Sequence, residues 1–513
     1  MNKTVHVLLG VGGTGAKVVE AALMMMAAGV GPRNVHVGLI DQDNSNGNVA
    51  RTRQLLSNLV DFQHDWSANE MNRVDWIGSA PPAFGSVKVH PLFKQDKNAL
   101  WCPTRTQGTL RSIVGENLDE AHEHLFDLMF MEGPEEQDLP LSKGYRGRAH
   151  VGATALVASL VDGESVLLKR LTELMEDANR NQVNIFVVGS AFGGTGAAGF
   201  PTLARALNRI RNASDFKNAG KVSLGGMLML PYFQFHQPPA DAVDAVVTSD
   251  ELLPKAKLAL EYYNNLLAHE ATFDRFYALG WEQLFNLGYH EPGSAEQQNP
   301  ALAPEIFAAS AIFDFFDRPR EEEGEAKAPV MVSARQDREI RWRDLPYPDL
   351  EARLGQMLRF AVYWRFVVEP ALSEKKLIGK NWAQKLAGDA RAIDSEVPLN
   401  LLRELIDDIL LWAMTIEHTG GEFWRNGPWQ LADLKDPSHV PTPTTPVALR
   451  GPAMQLTALH DAFDHLIRTD AGEFLPRAGH ELHDELTRAK PPAGDHRGIG
   501  RTVAAVYAAA SMR

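Results

Sequence analysis

The sequence predicts an α/β protein: a parallel sheet in the first half, followed by a mostly helical C-terminal region. Three observations predict it. Apolar runs at residues 5–9, 35–40, 183–188 and 222–230 alternate with helical stretches at 16–28, 153–160, 165–179 and 202–211. Strand–helix alternation of this kind implies a parallel sheet covered on both faces. Two glycine-rich turns each join such a strand to such a helix. Beyond Pro231 the texture changes, with helical periodicity at 250–267, 300–316, 349–368, 399–416, 453–469, 481–490 and 501–512. Strand signals there are sparse: 273–280 reads as one more strand, and 330–332 and 339–342 are the only later ones.

Composition bounds the functional classes. The 513 residues exceed one small core, and the natural divisions fall at 1–298, 299–330, 331–437 and 438–513, the last opening on the proline-rich linker 438–446. A net charge of −14 argues against a nucleic-acid backbone as partner, which needs a basic surface. A single cysteine, Cys102, leaves no disulfide framework within the chain and fits a reducing cytosol. The longest tempting apolar run, 21–30, is half of the ~20 residues a membrane span needs. The N-terminus opens directly into a strand without a basic leader, so a cytoplasmic protein without a transmembrane segment is expected.

The chemistry concentrates at strand ends. Gly10-Val11-Gly12-Gly13-Thr14-Gly15-Ala16-Lys17 follows the first strand, and Ser190-Ala191-Phe192-Gly193-Gly194-Thr195-Gly196-Ala197-Ala198-Gly199-Phe200-Pro201 follows the strand read at 183–188. Glycines let the backbone approach a ligand, and the helix behind presents free N–H groups and a positive dipole end. Such turns hold phosphate, and two of them suggest a nucleotide clasped from both sides. In parallel sheets ligands sit at the carboxyl ends of strands, so both turns and the Asp41–Asn44 loop are expected to share one crevice.

Taken alone, the first turn fits G-x-G-x-x-G through Gly10, Gly12 and Gly15, with Asp41 placed for the ribose of a dinucleotide. That reading gives an NAD(P)-dependent oxidoreductase, but leaves the second turn unexplained. A Walker loop fits poorly, because Val18 rather than Ser or Thr follows Lys17.

The second turn resembles the signature of the tubulin and FtsZ superfamily, G-G-G-T-G-[S/T]-G. Gly193-Gly194-Thr195-Gly196 stands unchanged, Phe192 and Ala198 replace glycines, and Pro201 follows as in the FtsZ branch. Gly10-Val11-Gly12-Gly13 is similar to the family's opening G-V-G-G. Ile40-Asp41-Gln42-Asp43 resembles I-N-T-D, Gly147-Arg148-Ala149-His150-Val151-Gly152 a degraded G-A-x-P-E-x-G, and Leu230-Pro231-Tyr232-Phe233 the strand ending before Pro-Phe. Five motifs therefore occur in family order over residues 1–235, and the chain looks like a divergent prokaryotic tubulin-like protein.

The resemblance implies a tubulin/FtsZ-like nucleotide-binding domain for GTP (GDP) with Mg2+. Gly193, Gly194, Thr195, Gly196 and Ala197 would wrap the phosphates, and Gly12, Gly13, Thr14, Gly15 and Lys17 would face them. Asp43 would lie near the ribose or the metal-bound phosphate, Gly147 and Arg148 at the γ-phosphate, and Asn299 at the base. Asp314 and Asp317 of Asp314-Phe315-Phe316-Asp317 echo the family's D-F-A-D and would polarise water in the next subunit's site. Self-association into filaments or oligomers, slow GTP hydrolysis and a protein partner for the C-terminal region follow from the same resemblance.

Several positions keep a second reading. Lys17 is also a solvated lysine one turn into a helix, and Asn299 before Pro300 an ordinary helix cap. Asp314 and Asp317 also read as surface ion-pair partners of Arg318 and Arg320. Gln234, His236 and Gln237 stand where the family holds the ribose with Glu and basic residues, and a scaffold with a degenerate site is the third functional reading.

Overall fold

The computed structural model describes residues 4–68, 84, 87–93, 99–104, 108–115, 118–130, 134–161, 165–235, 249–270, 272–282, 284–287, 297–318, 330–334, 344–348, 350–369, 397–424, 478–488 and 499–511. The linker 438–446, the helix read at 453–469, the strand read at 339–342 and the acidic stretch 321–325 lie outside them.

The first strand, β1 (Thr4–Val11), is buried along almost its whole length, as an apolar run in a sheet covered on both faces must be. It runs into α1 (Gly12–Ala27), then β2 (Asn34–Ile40), α2 (Gly47–Ala68), β3 (Lys88–Pro91) and the two-residue β4 (Leu100–Trp101). Next come α3 (Glu120–Met129), α4 (Pro134–Gln137), α5 (Ala149–Val161), α6 (Val166–Glu176) and β5 (Gln182–Ser190). The chain continues through α7 (Gly194–Arg211), β6 (Val222–Met229), β7 (Phe233–Phe235), α8 (Ser249–His269), β8 (Arg275–Trp281), β9 (Phe285–Leu287), α9 (Ala303–Asp317) and β10 (Val330–Ala334). The remaining described helices are α10 (Leu350–Tyr363), α11 (Val397–Trp424), α12 (Ala478–Arg488) and α13 (Ile499–Ala509).

The main sheet has the order β10-β8-β6-β5-β1-β2-β3, with β4 paired to the end of β2, and every pairing is parallel. Strand order therefore reverses between β1 and β5, whose registers pair Val5 with Val183 and Gly10 with Val188. Reversal leaves a crevice at the carboxyl ends of those two strands, where open parallel sheets bind ligands. A separate parallel pair, β7 with β9, stands beside it.

Two apolar layers cover the sheet. One holds α3, α5, α6 and α7 through Phe126, Leu156, Leu171, Phe200 and Leu207. The other holds α1 and α9, and continues without a break into α10, α11, α12 and α13 through Leu358, Ile409, Leu486 and Val506. The helical C-terminal region is thus bound to the sheet by the same core as α1. Polar bonds reinforce the seam: Gln356 Nε2 donates to the Tyr507 carbonyl at 2.8 Å and Arg359 Nε to the Ala510 carbonyl at 2.9 Å.

Both glycine turns are more helical than their composition suggests. The stretch read as loop from Gly10 to Lys17 is the end of β1 and the first turn of α1, and α7 begins at Gly194 rather than near Thr202. Likewise α5 starts at Ala149, so all of the 147–152 segment after Arg148 is helix. No single helix among the described residues is long and apolar enough to cross a membrane.

Candidate functional site

The crevice at the β1–β5 reversal opens into a cavity of about 1030 Å³, solvent at its mouth included. The first turn supplies Gly12, Gly13 and Thr14, and the second Gly193, Gly194, Thr195 and Gly196. Asp41 and Asp43 enter from the end of β2, Lys143 to Gly147 from the segment before α5, and Asn299 from the approach to α9. Residues read from five separate stretches of sequence meet at one place.

Backbone packing explains the glycines. Gly12 has φ +74, a conformation that L side chains rarely adopt, and a Cβ there would lie 2.9 Å from the Gly196 nitrogen. A Cβ on Gly194 would meet the Gly147 nitrogen at 2.9 Å and Tyr145 Cβ at 3.0 Å. Three chain segments therefore touch through main chain alone, which only glycine allows.

The helix ends supply the positive potential. Neither α1, entered from Val11, nor α7, entered from Gly193, has a side-chain cap, and neither carries an acidic residue in its first turn. Their first N–H groups lack intrahelical partners, and each helix adds about half a positive charge at that end. Gly193 N–H is held by Ser190 Oγ at 3.2 Å, and Ala197 N–H is already spent on the Gly193 carbonyl at 2.8 Å.

Carboxylates face these donors. Thr195 Oγ1 donates to Asp41 Oδ1 at 2.9 Å, tying the second turn to the β2 end. Asp41 N–H is held by the Trp101 carbonyl at 3.2 Å, and burial pushes its carboxyl up to about 7, with Asp43 adding to the rise against the Thr195 bond. Asp43 Oδ1 accepts from Ser45 N–H at 3.0 Å and Ser45 Oγ at 2.6 Å. Asn46 caps α2, its Oδ1 accepting from the N–H groups of Asn48 at 3.0 Å and Val49 at 3.3 Å. Asn48 Oδ1 in turn accepts from Asn299 N–H at 2.8 Å. Asn299 Oδ1 itself is buried without a hydrogen-bond partner among the described residues, in a residue that lines the cavity. Such an orphaned acceptor costs free energy unless a ligand donor meets it. Asn299 does not cap α9; there Glu305 Oε2 accepts from Leu302 N–H at 3.0 Å.

Other predicted residues stand elsewhere. Lys17 neither lines the cavity nor reaches solvent: it is buried, 2.5 Å from Glu305 Oε1, and donates to the Pro300 carbonyl at 2.6 Å. Both sequence readings of Lys17 are thereby corrected. One turn into α1, its side chain meets α9 packed across that helix. Burial pushes the Lys17 amine down and the Glu305 carboxyl up, and each opposes the other's shift. Gly10 and Gly15 pack against each other and against the Val188 carbonyl, behind the cavity wall. Arg148 and His150 turn to the buried Glu136 instead, at 3.5 Å and 2.6 Å. Among the described residues, the basic ones that line the cavity are Lys143 and Arg146, missed because neither belongs to a motif. Arg146 adopts φ +46 between Gly144 and Gly147, and the sequence carries no signal of it.

Asp314 and Asp317 lie at the other end of α9 from Asn299, a helix of 15 residues and so about 22 Å long. Asp314 accepts from Tyr277 OH at 3.0 Å and Arg318 Nε at 2.8 Å, while Asp317 is exposed. The Arg318 pairing is the ion pair that the second reading of Asp314 expected.

No family model, no curated protein and no solved structure matches this chain.

Proposed function

We propose that the cavity binds a guanine nucleotide, GTP or GDP with magnesium, in the manner of tubulin/FtsZ-like proteins, and that nucleotide state controls self-assembly or partner binding. One observation carries the reading: two uncapped helix N-termini, after β1 and β5, open onto one cavity at the strand reversal. Two such ends, with Lys143 and Arg146, suit a di- or triphosphate. Asn299 Oδ1 suits a ring N–H donor, the pattern a guanine edge offers and an adenine edge lacks at that place. Phe192 and Phe233, whose rings meet edge-on at 5.4 Å, give an apolar wall for the ring face. Asp41, Asp43 and Thr195 suit a magnesium ion that keeps most of its waters and takes phosphate oxygens.

Hydrolysis in this reading is completed between subunits. Asp314 and Asp317, at the far end of α9, serve only a neighbour's site, and a chain unable to assemble turns over no GTP. Exposed Asp317 is the water-polarising carboxylate of the two, because Asp314 is held by Tyr277 and Arg318.

The sheet order also favours a second reading, since β3-β2-β1-β5-β6-β8 follows the dinucleotide-binding arrangement and Asp41 ends the second strand. That reading needs Asp41 ionised and turned to a ribose, whereas its carboxyl receives the Thr195 hydroxyl. Calorimetric titration with GTP, GDP, ATP and NADH in magnesium separates them. GTP or GDP selectivity supports the proposal, NADH binding alone transfers the site to the dinucleotide reading, and silence from all four leaves a scaffold with a degenerate site.

A further inference from the structure

The segment 297–301 contributes to two cavities. Gln297 and Asn299 line the one described above, and Gln298, Pro300 and Ala301 line a second of about 660 Å³, mouth included. Arg51 Nη1 fixes the Asn299 carbonyl at 3.0 Å and Thr419 Oγ1 the Ala301 carbonyl at 3.1 Å.

The second cavity lies between α1, α2 and α11. Helix α11 presents Asp408, Leu411, Trp412 and Thr415, the spacing of one helix face. Met24 and Leu55 add apolar surface, and Gln54 and Asn58 add amides. Of the charged groups, Glu20 is satisfied by a two-pronged bond from Arg51, 2.6 Å at both oxygens. Asp408 has no cation among the described residues within ion-pair distance. Its neighbour Asp407 is paired with Arg365 at 2.8 Å, and Asn58 donates a hydrogen bond to Asp408.

We propose that this second cavity binds a small organic cation, an ammonium on a short apolar body, with Asp408 as its counter-charge and Trp412 beside it. Arg51 also lines this cavity but is spent on Glu20, so an anion would face the charge of Asp408. A neutral apolar ligand would leave Asp408 desolvated and uncompensated. An ammonium supplies the missing charge, and an indole beside it adds cation–π attraction. Met24, Leu55 and Leu411 take the hydrocarbon. Burial, then Glu20, Asp407 and Glu404, push the Asp408 carboxyl up to about 7 against the Asn58 hydrogen bond, and Arg51 is also coupled to it. A bound ammonium would reverse that rise. Because Pro300 and Asn299 are adjacent, occupancy here also bears on the first cavity; that coupling rests on the nucleotide reading, and the test below does not use it.

The test is calorimetric titration of the full chain, without nucleotide, using n-hexylammonium and 1-hexanol as probes. One ammonium per chain should bind at pH 8, and the alcohol at least about tenfold more weakly. At pH 6 ammonium affinity should drop about tenfold, because Asp408 then holds a proton. Asp408→Asn should remove binding while unfolding no earlier than the wild type, since it relieves a desolvated carboxylate. Trp412→Leu, read separately, should weaken binding several-fold. Equal binding of alcohol and ammonium, ammonium binding unchanged in Asp408→Asn, or no binding of either probe would overturn the proposal.

Discussion

Two kinds of helix N-terminus stand side by side among the described residues. At α2, α3 and α6 a side chain from just outside the helix closes the first turn: Asn46, Asp119 and Ser165, whose oxygens accept from N–H groups two or three residues on. At α1 and α7 the flanking residues are Val11 and Gly193, which carry no acceptor, and the open turns face the same cavity. The capped group satisfies its donors from within, as stability alone would favour. The uncapped group leaves donors and dipole exposed where a ligand can use them, at a cost in free energy that only binding offsets. Stability and binding should therefore respond separately to substitutions at the two groups.

The largest expected effect tests where the cavity's influence ends. Lys17 lies on α1, yet its partner is Glu305 on the far side of the helix. Lys17→Met leaves a buried carboxylate unpaired and should cost about 3–5 kcal/mol in denaturant unfolding. Adding Glu305→Gln should restore much of that loss. Nucleotide affinity, measured on the folded fraction, should stay within a few-fold; a parallel collapse would place Lys17 among the ligand contacts after all.

Next is direct damage to an open turn. Gly194→Asp with Thr195→Arg puts a side chain against Gly147 and Tyr145 and a carboxylate among the donors of α7. Affinity for GTP should fall on the order of 100-fold or more. A Cβ at 194 must displace the Gly147 backbone, so affinity is read on the folded fraction that circular dichroism defines. Full retention of binding would mean that the α7 end is not where phosphate sits.

Asp41 gives a smaller, pH-dependent effect. Burial raises its carboxyl to about 7, so it is mostly neutral at pH 6 and mostly charged at pH 8. A phosphate close by prefers the neutral form. Without magnesium, GDP affinity should therefore be higher at pH 6 than at pH 8, by up to about tenfold. Asp41→Asn should abolish that part of the dependence, and comparing the two proteins cancels the nucleotide's own titration. The same rise destabilises the fold as pH climbs from the ordinary carboxylate range towards 7, so the variant should unfold later than wild type at pH 8. A wild-type advantage at high pH would put a cation, not phosphate, beside Asp41.

What the sequence revealed follows the same division. The strands β1, β2, β5 and β6 were legible because a both-faces-buried strand must be continuously apolar, and the glycines at 12 and 194 because main-chain contact admits nothing larger. Asp41, Asp43 and Asn299 were legible through position, at a strand end or before a Pro at the entry to a helix. Lys17 was not. Spacing places it one turn into α1, but its side is decided by α9, which arrives nearly 300 residues later. Lys143 and Arg146 escaped for a related reason: a left-handed turn at Arg146 carries them to the cavity, and no composition rule marks it. The start of α7 was misplaced because Gly-Thr-Gly is poor helix sequence, overridden here by packing of Phe200 and Leu203 into the core.

The smallest effect is the control for the comparison. Ser165 is buried at the entry to α6, and its Oγ accepts from Leu168 N–H at 3.4 Å, long for such a bond. Ser165→Ala removes the cap and should cost about 1 kcal/mol or less in unfolding free energy, the usual range for losing a capping oxygen. Helix α6 approaches the sheet through Leu167 and Leu171 and contributes nothing to the cavity, so nucleotide affinity should not change. The substitution makes α6 formally like α1 and α7, an entry without a side-chain acceptor. If it created a new nucleotide-binding response, an open helix end would be sufficient for binding. If it lowers stability and nothing else, binding at α1 and α7 depends on the convergence of two ends with Asp41, Arg146 and Asn299, and the cavity rather than the helix terminus is the site.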